Sequence, residues 1–152
     1  MGIEIERKFL VTSTAWRDAA PTPITIRQGY LLKSNGASLR VRIIDDSNAV
    51  ITFKTAGSGV SRGEYEYPIP LEDARELLLL AGDRTIDKQR STLSHSGKIW
   101  VVDEFTGRHA GLVLAEIELQ TEAEAFETPT WAGAEVTGDP AYSNAQLAET
   151  RT

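Results

Sequence analysis

The sequence predicts a mainly β, α+β protein built on eight antiparallel strands, arranged as a sheet or a barrel. Three observations carry this. Apolar and charged residues alternate with period two in eight separate segments, the pattern of a strand with two unlike faces. Turn residues (Asn-Gly, Asp-Asp-Ser-Asn, Ser-Gly) separate many of these segments. Helical spacing is confined to two stretches and one shorter candidate.

The first strand spans Ile3 to Val11, with Glu4, Glu6 and Lys8 on one face and Ile3 and Ile5 on the other. Ile24 to Lys33 reads as the second strand, ending at Asn35-Gly36. Ala37 to Asp45 and Ala49 to Thr55 follow. Gly57-Ser58-Gly59 breaks the pattern before Ser61 to Ile69 resumes it. Thr85 to Leu93 and Lys98 to Thr106 flank a Ser-His-Ser-Gly turn, and Gly111 to Gln120 is the last strand. A helix is expected over Leu71 to Leu80, after Pro70, with Glu72 and Asp73 in its first turn and Gly82 near its end. Ala141 to Glu149 is a second helical stretch, and Glu122 to Phe126 a shorter one.

The 152 residues fit one domain, and 41% apolar content suffices for a core. With no cysteine, disulfides and thiolate metal sites are excluded. Two histidines, His95 and His109, cannot make a poly-His metal site. A metal here would be bound by oxygen, which favours Mg²⁺, Mn²⁺ or Ca²⁺. A net charge of −6 argues against general nucleic-acid binding. No apolar run reaches membrane-spanning length, and the N-terminus lacks signal-peptide order, so a cytoplasmic location is expected.

The same alternation, applied to every strand, gathers charge on one face. Seven basic residues fall there: Lys8, Arg40, Arg42, Lys54, Arg62, Lys88 and Arg90. Seven acidic ones join them: Glu4, Glu6, Glu64, Glu66, Asp103, Glu116 and Glu118. A solvated sheet face would account for any one strand. Repeated same-sign pairs two residues apart repel, however, unless counter-ions lie between them. The pattern therefore calls for a cation on the acids and a polyanion on the bases. If the strands close on themselves, the apolar face must point outward under the helices, and the charged face lines a polar interior.

The ordered series Glu4-x-Glu6-x-Lys8, Arg40-x-Arg42, Lys54, Glu64-x-Glu66, Lys88-x-Arg90, Asp103 and Glu116-x-Glu118 resembles the CYTH domain, or triphosphate tunnel metalloenzyme, family. The resemblance runs from Ile3 to about Asn144. It implies a closed eight-stranded antiparallel β-barrel with helices outside. The segments Ile5 to Val11, Arg27 to Leu31 and Trp131 to Thr137 look like the short bacterial members, which act mainly as inorganic triphosphatases. By resemblance, Glu4, Glu6, Glu116 and Glu118, completed by Glu64, Glu66 and Asp103, would hold one or two Mg²⁺ or Mn²⁺ ions. Lys8, Arg40, Arg42, Lys54, Lys88 and Arg90 would grip the triphosphate. Lys8 and Tyr30 would form a catalytic pair. A tunnel-wall role for Tyr30 and a solvated Arg62 fit the sequence equally well.

Other readings stay open. Relatives of this kind include nucleoside and thiamine triphosphatases and class IV adenylate cyclases, and a polyphosphate- or nucleotide-binding module is a non-enzymatic alternative. A small triphosphate-bearing molecule is the expected partner, with the protein a monomer or homodimer. His95 and His109 are expected on the surface, and Trp16, Trp100 and Trp131 in the core.

Overall fold

A computed structural model describes residues 2–57 and 60–149; Ser58 and Gly59 of the expected strand break lie outside these. The strands are β1 (Ile3–Val11), β2 (Ile24–Ser34), β3 (Ala37–Ile44), β4 (Asn48–Lys54), β5 (Ser61–Ile69), β6 (Thr85–His95), β7 (Lys98–Phe105), β8 (Val113–Glu118) and β9 (Ala132–Glu135). The helices are α1 (Leu71–Ala81) and α2 (Asn144–Glu149). Among the described residues, neither helix is long and apolar enough to cross a membrane.

The expected closed eight-stranded barrel does not form. The hydrogen-bonded order is β5-β4-β3-β2-β6-β7-β8-β1-β9, a nine-stranded antiparallel sheet. It bends round so that β1 also meets β5, but their register covers only Ile3–Gly63, Glu4–Arg62 and Ile5–Ser61. β1 to β8 thus form a ring joined at one short seam. The reason is overlap. β5 begins at Ser61, so β1 beyond Glu6 has no partner there, and β9 occupies its edge from Phe9 to Val11. At its other end β5 pairs only with β4, and Pro68, which has no N–H to donate, sits in that free edge.

The apolar face does point outward, and it is covered in two places. Ala74 and Leu78 of α1 pack on Val41, Ile43 and Ala49. Gly29 permits the close approach: a Cβ there would lie 2.7 Å from the Ala81 methyl and 2.9 Å from Leu78 Cδ2. On the far side Phe9, Leu93, Trp100, Ala115 and Ile117 are covered by Trp16 and Trp131. Trp100 makes edge contacts with Phe126 and Trp131, so the tryptophans are packing residues. The expected helix over 122–126 is instead a turn and irregular chain.

Unlike α1, α2 does not pack on the outer face of the ring. Leu147 and Ala148 pack with Tyr30, Ile86, Phe105 and Leu114, closing one end of the ring's interior with an apolar plug. His109, expected on the surface, helps fasten it: its Nε2 lies 2.7 Å from the Leu147 carbonyl oxygen.

Gly29→Val should force α1 off β2 and cost about 1–3 kcal/mol by overpacking. Thermal unfolding reads this as a lowered Tm; an unchanged Tm would show that α1 does not rest on this contact.

Candidate active site

The strand ring encloses a cavity of about 650 Å³, bounded on one side by Ser143, Asn144 and Ala145 at the start of α2. Every candidate site residue named from the sequence lines it except Asp103. Period-two alternation explains why: β1 contributes Glu4, Glu6 and Lys8, β3 Arg40 and Arg42, β6 Lys88 and Arg90, and β8 Glu116 and Glu118.

Charge is sorted along the cavity. Deep inside lie Arg40, Arg42 and Lys88, all buried, with Arg90 beside them. Asp103 sits behind this group, its carboxylate bonded by Arg90 Nε and Nη2 at 2.7 and 2.8 Å, with Lys88 Nζ at 2.8 Å. Both its oxygens are thus taken by cations, and those contacts hold its carboxyl well below the usual range despite burial. Compensation among the cations is uneven: Arg40 is raised despite burial, through Tyr30 and then Glu64 and Glu4. Burial, then Arg40 and Arg90, lowers Arg42 to about 10, and burial is the main cause that brings Lys88 to about 7. Arg40 Nε is buried with no hydrogen-bond partner.

The opposite wall is acidic. Lys54 Nζ lies 3.0 Å from Glu4 and 3.5 Å from Glu64, and Thr52 donates to Glu66 at 2.8 Å. Glu6 and Glu118 are direct register partners across β1 and β8. Like charges placed opposite each other destabilise a ladder unless a cation intervenes. Glu6 rises to about 8, first through burial and then through Glu116; Glu4 and Glu118 are raised too, chiefly by desolvation.

These oxygens suit a hard divalent cation by donor type and unsatisfied charge. Among the described residues no group of three or more acids or histidines converges as a ready-made metal cluster. That agrees with the habit of small divalent ions of taking one or two carboxylates and completing their shell with water and substrate oxygens.

Lys8 and Tyr30, expected as a catalytic pair, both line the cavity. Lys8 Nζ donates to the Tyr142 carbonyl at 3.0 Å and lies 3.6 Å from Glu116. Tyr30 OH accepts from Gln28 Nε2 at 2.9 Å. Arg62 lines the cavity near the seam, opposite Glu4 in register. Sequence reasoning missed Ser38, Ser143 and Asn144, which also line the cavity. Ser38 shares the parity of Arg40 and could have been found. Asn144, outside any strand, gave no signal.

The arrangement defines a class: a strand ring enclosing a cavity lined by clustered basic and acidic side chains. The chain belongs to the CYTH domain family, whose sequence pattern matches residues 2–149. An inorganic triphosphatase of Acetivibrio thermocellus is 45% identical over 148 residues, covering 97% of this chain and 94% of its own. One from Nitrosomonas europaea is 37% identical over 149 residues, covering 95% and 96%. A crystal structure of an inorganic triphosphatase superposes with a TM-score of 0.70 at 32% identity, over 97% of this chain and 95% of its own.

Asp103→Ala should strip the buried Lys88 and Arg90 of their counter-charge and destabilise the fold by about 3–5 kcal/mol. Urea denaturation measures this; a loss below about 1 kcal/mol would mean the pairings carry little of the fold.

Proposed function

We propose that this chain hydrolyses inorganic triphosphate to pyrophosphate and phosphate, with one or two Mg²⁺ or Mn²⁺ ions, inside the strand ring. The observation that carries the reading is the buried, unpartnered Arg40 Nε among Arg42, Lys88 and Arg90, facing a wall of carboxylates with raised pKa. A buried cation group left short of acceptors is costly, and a phosphate chain supplies them. The two relatives described above, both inorganic triphosphatases, support the substrate class.

Arg40 and Arg42 offer planar guanidinium forks to phosphoryl oxygens, and Lys88 and Arg90 extend the grip. The apolar plug of α2 shuts the deep end against bulk water. A bound Mg²⁺ or Mn²⁺ would neutralise phosphate charge and polarise the phosphoryl group, held by Glu4 and Glu6 with Glu64, Glu116 or Glu118. Lys8, held between Glu116 and the Tyr142 carbonyl, would offer its ammonium to the negative charge that builds on the leaving oxygen. Tyr30 OH accepts from Gln28, so its own proton is free to be donated to a phosphoryl oxygen. Water adds to one terminal phosphorus, the P–O–P bond breaks, and pyrophosphate leaves.

Purified protein should release phosphate from inorganic triphosphate only with Mg²⁺ or Mn²⁺, and faster than from ATP or thiamine triphosphate. Arg40→Met should lower kcat/KM about 100-fold or more. Cyclic AMP formed from ATP as the main product would favour the cyclase reading, and no turnover of any triphosphate would overturn hydrolysis.

A further inference from the structure

At the deep end of the cavity the cations that grip phosphate belong to a polar network through Gln28 and Asn144. Gln28 is fully buried on β2. Its Oε1 accepts from Arg42 Nε at 2.8 Å, and its Nε2 donates to Tyr30 OH at 2.9 Å. The same Nε2 lies 3.5 Å from Asn144 Oδ1, which accepts from Lys88 Nζ at 2.9 Å. Asn144 is the first residue of α2, so a residue of the plug reaches two elements of the ring.

Each contact limits the others. With its carbonyl on Arg42, Gln28 must turn its amide N–H groups to Tyr30 and Asn144. Asn144 must then present oxygen, not nitrogen, to that side. A neutral acceptor is therefore aimed at the Lys88 ammonium. It orients the ammonium without cancelling its charge, whereas Asp103 on the other side, shared with Arg90, orients it and offsets part of its charge. Lys8 is held the same way by a neutral oxygen from this segment, the Tyr142 carbonyl.

We propose that Asn144, acting with Gln28, is a positioning residue that orients Lys88 and Arg42 toward the triphosphate while leaving their charge available to it. The proposal rests on the triphosphatase reading. It also gives the C-terminal segment a second role, since besides closing the ring it sets the aim of the basic end.

The test is a double-mutant cycle on the full chain, with inorganic triphosphate and Mn²⁺. Asn144→Ala should raise KM about tenfold, the scale of one hydrogen bond to a charged group, with kcat changed less than about threefold. In a Lys88→Met background the same change should raise KM less than about threefold, because only the weaker path through Gln28 to Arg42 remains. A purely structural role would give equal effects in both backgrounds, and that result would overturn the proposal. Asn144→Asp keeps the shape, so it covers the case in which the Lys88 variant does not fold. It should raise KM at least as much as Asn144→Ala, since its carboxylate cancels the Lys88 charge; a wild-type KM in this variant would also overturn it. Wild-type protein that turns over no triphosphate would sink the functional reading and this inference together. Wild-type turnover with an unchanged Asn144→Ala enzyme would sink the inference alone.

Discussion

Buried like charges are the constraint around which the molecule is organised. Arg40, Arg42 and Lys88 are each less than a tenth exposed and stand beside Arg90, with Asp103 fully engaged behind them. Water would relieve such crowding on an open sheet face; here bending of the sheet has removed most of it. The acidic wall repeats the problem with the opposite sign, most sharply at Glu6, which burial and then Glu116 push up to about 8. The clusters meet only in places, as where Arg90 lies 3.5 Å from Glu116, so neither neutralises the other fully. A polyanion and a hard cation, bound together as proposed, would answer both.

The outer shell follows from this inner demand. With charges inside, the apolar alternates must face outward, so the core lies between the ring and its coverings. α1 serves one side, and the aromatic set of Phe9, Trp16, Trp100 and Trp131 the other. α2 is the exception, since it plugs the interior and meets the basic end through Asn144. The short seam between β1 and β5 shows that enclosure does not require a continuous ladder. Three residue pairs suffice when β9 covers the rest of β1.

What the sequence disclosed depends on period two. Parity along a strand is fixed by backbone geometry, so it sorted Glu4, Arg40, Lys88 and Glu116 onto the interior without knowledge of their neighbours. Whatever depends on register between strands was hidden. Asp103 has the right parity, but only its pairing opposite Arg90 shows that it serves the cations. β9 escaped notice because Ala132-Gly-Ala-Glu135 has little strand propensity and forms where β1 offers a free edge. The seam was equally invisible, since it turns on how far β1 and β5 overlap. Asn144 acts from a helix end, where no alternation marks the face it presents.

Anomalous diffraction from crystals containing inorganic triphosphate and Mn²⁺ tests the central claim most directly. Phosphate oxygens should occupy the space before Arg40 Nε and Arg42, with manganese on the wall formed by Glu4, Glu6 and their acidic neighbours. Manganese or phosphate ordered only outside the strand ring, with Arg40 Nε still unpartnered, would contradict the account.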